Sequence, residues 1–241
     1  MKKILLSFVL ISLLASCDLE REPLTSASLF SDEVLAQREL TDSIANPNNA
    51  YDYCGQLFSE LHEAYYATSR DSVGLDTLLL EVERVASGVI AYTAIKPLDY
   101  QSPLPERIHY FVAAKDTCLS SVLKGTGISA LAASGFSEFL EEYLILCDST
   151  ADYAVIYSYV QHYEASVIGD SRFNAFDKKV LLITTSIARY TAAAKKKRPK
   201  KNTDPAWDFL ICGIYGSIEG AASSPAEAIS SAVAAAIAEN Q

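Results

Sequence analysis

Residues 205–241 have the sequence PAWDFLICGIYGSIEGAASSPAEAISSAVAAAIAENQ, which predicts two helices joined by a short turn. The run Ser224-Pro225-Ala226-Glu227 is a capping box with proline at the first helical position, so it marks the start of the second helix. Gly216 and Gly220 are four residues apart, so they lie on one helix face and let a second backbone approach closely. The segment therefore predicts a C-terminal small-residue helical hairpin.

We expect this hairpin to pack against protein and not to cross a membrane. Glu219 and Glu227 would each cost roughly 2.5 to 3.5 kcal/mol at the centre of a bilayer. Pro225 divides the apolar run, and neither half reaches about 20 apolar residues. Replacing Gly216 with leucine is therefore expected to overpack a tight contact between helices.

Upstream of the hairpin, apolar residues recur at the spacing of an amphipathic helix in one segment after another. One such stripe begins at Leu75, and its helix is expected to end near Pro97, which cannot continue it. Further stripes begin at Cys54, Ile108, Phe136, Tyr153 and Phe173. No comparable run alternates with the period of two that marks a half-buried strand. The sequence therefore predicts an all-α fold, an irregular multi-helix bundle.

Capping residues give the expected boundaries of these helices. Ser149 with Asp152 resembles a capping box. Gly125 and Gly169 occupy positions typical of helix ends, and Asp170-Ser171 is a suitable start for the helix that follows. These residues predict several separate helices in the middle of the chain.

The composition favours a folded, acidic protein. Half of the 241 residues are apolar and only 21% are charged, which gives the chain enough apolar area for a core and room for one good-sized or two small domains. The formal net charge is −10. This acidic balance disfavours nucleic acid as a partner.

The amino-terminal residues have the organisation of an export signal. Met1-Lys2-Lys3 is a short basic start, and the apolar run from Ile4 to Leu14 is too short to span a bilayer but fits the centre of a signal peptide. The next residues, Leu14-Ala15-Ser16-Cys17, resemble the lipobox of bacterial lipoproteins. The resemblance implies cleavage before Cys17, lipid on that cysteine, and attachment to a membrane through this anchor.

Acidic residues directly after the cysteine bear on where such a lipoprotein would go. Asp18, Glu20 and Glu22 resemble the export tag of lipoproteins that Bacteroidota carry to the outer face of the outer membrane. In enterobacteria, an aspartate beside the lipidated cysteine would instead imply retention in the inner membrane. We expect an outer-membrane location, exposed at the cell surface if the Bacteroidota pattern applies.

A second resemblance extends from about residue 173 to the carboxyl terminus. The pattern of Ile187-Ala188-Arg189-Tyr190, then Trp207, then spaced glycines is similar to uncharacterised envelope proteins of Bacteroidota. Such proteins often have an acidic residue near the position of Cys212, where this chain departs from the pattern. The resemblance implies no particular activity.

These observations divide the chain into four segments. Residues 1–16 are the expected signal peptide, and residues 17–30 are a tether of mixed charge and turn-forming residues. Residues 31–198 are the expected helical bundle, and residues 199–241 contain a basic linker and the C-terminal hairpin. The basic run from Lys195 to Lys201 suits either a solvated helix end or contact with anionic lipid.

Four cysteines remain after the lipobox: Cys54, Cys118, Cys147 and Cys212. An exported compartment permits disulfides among them, and three pairings are possible. The alternative is that each cysteine is a small buried apolar residue, which suits the apolar stripes that contain Cys54, Cys118 and Cys147.

Residues with catalytic potential are few and poorly spaced. His62, His109 and His162 lack the spacing of a metal site or a catalytic triad, and no dinucleotide-binding or phosphate-binding loop is present. We therefore expect no cofactor, no metal and no enzymatic activity. The expected role is binding or structural. Two alternatives are a glycan or peptide binder of a nutrient-acquisition system, suggested by the tyrosines, and an unrecognised hydrolase.

Overall fold

A computed structural model describes residues 44–68, 74–150, 152–197 and 205–240. Ten α-helices account for the secondary structure of these residues, which contain no β-strand. The prediction of an all-α multi-helix fold is confirmed. In chain order the helices are α1 (Asp52–Thr68), α2 (Leu75–Ser87), α3 (Ile90–Ile95), α4 (Pro105–Ala113), α5 (Leu119–Thr126), α6 (Ala130–Ser149), α7 (Tyr153–Gly169), α8 (Ala175–Lys197), α9 (Pro205–Ser223) and α10 (Pro225–Glu239).

Helices α8, α9 and α10 form the centre of the fold. Every residue of α8 from 180 to 193 is buried, and α10 is buried on all sides from 228 to 230 and from 232 to 237. A helix without an exposed face belongs in the interior of a domain. Alanine is the commonest residue of α10, at seven of its fifteen positions, so neighbouring helices approach it closely.

The remaining helices surround this centre. Helix α1 packs against α8 and α10, and α7 packs along α8. On the other side, α2 and α4 contact α10, while α5 contacts α9 and links it to α6. Within the described residues the hairpin packs against the other helices, with α1, α2 and α4 on α10 and with α5 and α8 on α9.

The C-terminal hairpin forms as its sequence predicts. A single residue, Ser224, separates α9 from α10, and its Oγ accepts a hydrogen bond from the backbone N–H of Glu227 at 3.2 Å. A Cβ added to Gly216 would lie 2.4 Å from the carbonyl oxygen of Ser231, and one added to Gly220 would lie 2.4 Å from the backbone of Glu227. These two glycines therefore set the distance between the helices. Among the described helices, none has the combination of length and hydropathy needed to cross a membrane.

The helix expected from Leu75 to near Pro97 is interrupted, which corrects the prediction. Helix α2 ends at Ser87, where the N–H of Gly88 bonds to the carbonyl of Val85 at 3.0 Å, and Val89 is extended before α3 begins. The interruption shifts the helical phase, so Ile90, expected on the buried stripe, is 85% exposed and Tyr92 is buried instead. Periodicity alone did not reveal this shift.

Three other predicted boundaries are also corrected. The apolar stripe that begins at Ile108 is divided between α4 and α5 by the turn at 114–118. Helix α5 ends after Gly125, at Thr126, because Gly127 adopts the left-handed conformation with φ of 79°. Asn174, not Asp170-Ser171, starts α8, since its Oδ1 accepts from the backbone N–H of the second and third residues of the helix, at 2.8 and 2.9 Å.

The expected capping box at the start of α7 is also wrong. Ser149 is the last residue of α6, and Asp152 alone caps α7 by accepting from the N–H of Ala154 at 2.9 Å. The predicted ending of a helix at Gly169 is confirmed.

Candidate functional site

The residues predicted to receive lipid and to direct sorting lie outside the described part of the chain. These are Cys17, Asp18, Glu20 and Glu22. The backbone of α8 continues to Lys197, so the basic run begins as helix, and its residues 198–201 also lie outside the described part. The candidate sites within the helical body therefore come from the remaining predictions and from the packing itself.

The four cysteines of the body are buried, and none of them forms a disulfide: Cys54, Cys118, Cys147 and Cys212. The thiol of Cys212 lies 3.6 Å from the carbonyl oxygen of Phe111. Burial raises the pKa of Cys54 to about 12 and that of Cys118 to about 11. These buried positions fit the alternative in which each cysteine is a small apolar residue of the core. A protonated and enclosed thiol is also a poor nucleophile.

We expect these thiols to resist alkylation in the folded protein. In a chain of residues 18–241 at pH 8, a small maleimide should label none of the four under native conditions, because thiolate is scarce and access is closed. After unfolding in guanidinium without reductant, all four should react, as counted by intact mass. Fewer than four additions in the unfolded chain would restore the disulfide alternative.

The three histidines are placed apart from one another. His109 and His162 are exposed, whereas His62 is buried in α1. The ring of His62 contacts aromatic rings, with centroids 4.9 Å from Tyr66 and 5.2 Å from Phe209. The structure thus does not bring the histidines together into one site.

Three of the four tyrosines of α7 use their hydroxyls within the fold, and Tyr163 is the exception. The three donate to main-chain carbonyls: Tyr153 to Arg189 at 3.1 Å, Tyr157 to Ala45 at 2.8 Å and Tyr159 to Phe139 at 3.2 Å. All three rings are partly buried. The arrangement is that of amphipathic rings at the edge of a core and not of an exposed aromatic row.

A buried ion pair between α7 and α8 is the most connected polar group of the described residues. The side chains of Glu164 and Arg189 are both 0% exposed, and Nε of Arg189 lies 3.3 Å from Oε1 of Glu164. Arg189 also pairs with Asp52 in the first turn of α1 and donates to the carbonyl of Ile44. A buried charge is tolerated only when it is paired and hydrogen-bonded in this way.

Helical geometry places a third side chain on the same pair. Thr185 lies four residues before Arg189 on α8, so both project toward α7. Its Oγ1 donates to Oε1 of Glu164 at 3.0 Å. Glu164 itself lies between Val160 and Val167 on the buried stripe of α7, which is why its carboxylate points into the core.

Two asparagines of the turn before α1 complete the network. Nδ2 of Asn46 donates to Oε2 of Glu164 at 2.5 Å, and Nδ2 of Asn49 donates to Oε1 at 2.8 Å and to the carbonyl of Leu182 at 2.9 Å. The amide oxygens accept within the turn, from the backbone N–H of Asn48 and of Tyr51. Both ends of each amide are used, so aspartate could not replace asparagine here.

Electrostatics fix the charge of this group. Desolvation disfavours the charged guanidinium of Arg189, but the attraction of Glu164 and Asp52 outweighs it, and the pKa of Arg189 is raised above its ordinary value. The guanidinium of Arg189 is thus held charged in the interior. The network joins the turn before α1 to α7 and α8.

Sequence reasoning missed this group. The run Asn46-Pro47-Asn48-Asn49 has turn-forming residues and forms a turn, in which the N–H of Asn49 bonds to the carbonyl of Asn46 at 3.0 Å. The sequence does contain a signal for a buried charged pair, because Glu164 and Arg189 each lie on the apolar stripe of a helix. A charged residue on a stripe indicates a buried partner, although the sequence does not say which one.

A second polar cluster lies where α2, the segment after α3 and α10 meet. The hydroxyl of Tyr100 donates to Glu83 and lies 3.0 Å from Oγ of Ser230 and 3.2 Å from the hydroxyl of Tyr92. Lys96 pairs with Glu83 at 3.0 Å and lies 3.8 Å from the centroid of the Tyr100 ring. The cluster joins the outer helices to the central α10.

Both phenols of this cluster are protonated at neutral pH. Burial raises the pKa of Tyr92 to about 12, and burial together with the neighbouring Tyr92 also raises that of Tyr100. They act as hydrogen-bonding groups and not as phenolate nucleophiles. Among the described residues, no three histidine, cysteine, aspartate or glutamate side chains are grouped so as to hold a metal ion.

The chain is without a recognised relative in three comparisons with known proteins. No protein-family model matches it. No curated protein is significantly similar to it, and no solved structure matches it.

Proposed function

We propose that this chain is a lipid-anchored protein of the bacterial cell envelope whose helical body has a binding or structural role and no catalytic centre. The single observation that carries the anchor is the run Leu14-Ala15-Ser16-Cys17 at the end of a basic and apolar leader. Lipid on Cys17 would hold the body at a membrane, because each buried methylene contributes about 0.8 kcal/mol. The acidic residues Asp18, Glu20 and Glu22 support the outer membrane as that membrane.

The polar groups of the body support a role other than catalysis. The carboxylates of Glu164 and Asp177 are fully buried and accept hydrogen bonds from residues of the fold itself, in the case of Asp177 from the N–H of Ser129 at 2.8 Å. Lys115 pairs with one carboxylate from each helix of the hairpin, Asp208 of α9 at 2.5 Å and Glu239 of α10 at 2.8 Å. Charges used in this way stabilise a scaffold.

The rival roles have less support from the described residues. A glycan binder needs exposed aromatic faces, and the α7 tyrosines are partly buried, three of the four with hydroxyls bonded to the backbone. A hydrolase needs a base beside a nucleophile, and His109 and His162 are exposed on separate helices, with no nucleophile hydrogen-bonded to either in the described structure. A structural or protein-binding role in the envelope is therefore our preferred proposal.

Replacing Cys17 with alanine is expected to abolish lipid attachment. Cells that express the wild-type chain and are fed a labelled fatty acid should yield a labelled band in the membrane fraction, resistant to a high-salt wash. The Cys17→Ala variant should be unlabelled because no other residue can receive the lipid in this pathway.

A matched control separates lipid attachment from loss of any cysteine. Cys118→Ala, the same substitution inside the body, should be labelled as strongly as wild type. If Cys17→Ala still incorporates fatty acid and remains in the washed membranes, the proposed anchor is wrong.

A further inference from the structure

We propose that residues 44–49 form a latch, a segment that closes onto the buried Glu164–Arg189 pair and opens as a unit while the ten helices stay folded. The latch is the part of the described chain that lies directly before α1. It therefore connects the body to everything on its amino-terminal side.

Every polar bond of the latch to the body uses a buried or partly buried group. The carbonyl of Ile44 accepts from Arg189, and the carbonyl of Ala45 accepts from Tyr157 at 2.8 Å. The amides of Asn46 and Asn49 bind Glu164, as described above. Ile44 adds an apolar contact, since its side chain is only 4% exposed.

Helix α1 has a separate attachment to α8, which makes independent opening of the latch possible. The N–H of Gly55 donates to Oγ of Ser186 at 3.0 Å, and that hydroxyl donates to the carbonyl of Asp52 at 2.9 Å. A Cβ on Gly55 would lie 2.5 Å from the carbonyl oxygen of Ser186, so the two helices are in direct backbone contact. None of these contacts involves residues 44–49. When the latch opens, α1 keeps its place.

Asparagine at positions 46 and 49 suits a segment that closes onto a carboxylate. The carboxylate of Glu164 accepts from both latch amides, whereas an aspartate at either position could not donate to it and would place a second carboxylate beside it. Segments that open locally are those held by few groups, and their opening exposes little surface. The latch is short, and its polar bonds to α7 and α8 go to four residues: Glu164, Arg189, Tyr157 and Leu182.

Opening would change the reach of the chain that leads to the membrane. An open latch would add six residues of extended chain, roughly 20 Å, between α1 and the residues on its amino-terminal side. This consequence rests on the lipid anchor proposed above. The latch itself does not, because it is defined by contacts within the body.

The test uses thiol labelling at two positions of the same chain. Ile44→Cys is introduced into residues 18–241, which contain every described residue, and peptide mass spectrometry follows maleimide addition at the introduced thiol and at the native Cys54 of α1. Cys54 is fully buried, so it reports the opening of α1. We expect the introduced thiol to react at least roughly tenfold faster than Cys54 in native buffer, with a weaker dependence on urea because less surface is exposed.

Variants of the two amides identify what holds the latch. Asn49→Asp should accelerate labelling of the introduced thiol by roughly tenfold or more and leave Cys54 unchanged. Asn48→Asp is the matched control: it adds the same charge in the same turn, but Asn48 is exposed, and both rates should stay as in the parent. If Asn49→Asp prevents folding, Asn46→Ala removes one amide bond without adding charge and should accelerate labelling of the introduced thiol alone.

Equal labelling rates for the introduced thiol and Cys54 that rise together in Asn49→Asp or Asn46→Ala would overturn the latch. They would show that residues 44–49 belong to the same cooperative unit as α1. This outcome is distinct from failure of the anchor, which is measured by fatty-acid labelling at Cys17. Each proposal can therefore fail without the other.

Discussion

Gly216→Ala is expected to destabilise the body severely, although it adds a single methyl group. The added Cβ would lie 2.4 Å from the carbonyl oxygen and 2.6 Å from the carbonyl carbon of Ser231 on α10. Carbon atoms in good contact are about 3.5 to 4.0 Å apart, so the two central helices must separate by about 1 Å. We expect a loss of about 3 kcal/mol or more, at the upper end for overpacking. For a domain of this size that lowers the melting temperature by roughly 6 to 12 °C, measurable by circular dichroism.

The same substitution three residues earlier is the control. A Cβ on Gly213 would lie 3.4 Å from the Cβ of Ala236, an ordinary contact. Gly213→Ala should leave the melting temperature unchanged or raise it, because alanine favours a helix over glycine by about 0.8 to 1.0 kcal/mol. Equal melting temperatures for the two variants would mean that the hairpin is looser than the structure indicates. Gly216→Leu, with a larger side chain, should be worse than Gly216→Ala.

Glu164→Gln is the second substitution for which a large loss is expected. Glutamine has the shape of glutamate, but it removes the charge that compensates Arg189 and turns an N–H group toward donors that previously found an oxygen. Breaking one partner of a buried pair costs about 3 to 5 kcal/mol. Urea unfolding should show a lower midpoint with an unchanged slope, since the folded state buries the same surface.

An exposed carboxylate supplies the comparison for this variant. Glu81 pairs with Arg84 at 2.7 Å on the surface of α2. Glu81→Gln should cost only about 0 to 1 kcal/mol, because solvent screens the pair. If Glu164→Gln lowered the free energy of unfolding no more than Glu81→Gln, the buried network would contribute little to the stability of the fold.

The parts of this fold that follow from local rules are the parts that the sequence predicts. The hairpin and its capping box depend on residues within a few positions of one another, and the amphipathic stripes depend on a fixed period. The interruption at Gly88 was missed because glycine within a helical stripe either continues or ends the helix, depending on the packing of its neighbours. The residues close to Gly88 in the sequence do not show whether the helix continues or ends there.

The polar network was beyond sequence reasoning for a different reason. Arg189 and Glu164 are 25 positions apart, and Asn46 is 118 positions from Glu164. The pairing of these charges depends on how three separate elements pack against one another. In addition, a turn-forming asparagine has the same local sequence pattern whether its amide binds water or a buried carboxylate. The state of the four cysteines could be predicted only in part, because their apolar neighbours favoured burial but did not exclude a disulfide.

The central position of α10 also constrains the order in which the body can fold. Helices α1, α2 and α4 all rest on α10, yet each precedes it by many residues in the chain. A chain synthesised from its amino terminus presents those three helices before the helix that covers their apolar faces has been made. Contacts between distant segments form late and leave apolar surface exposed in the meantime. Completion of the core therefore waits until α10 has been made, and until then the apolar faces of α1, α2 and α4 lack the helix that covers them.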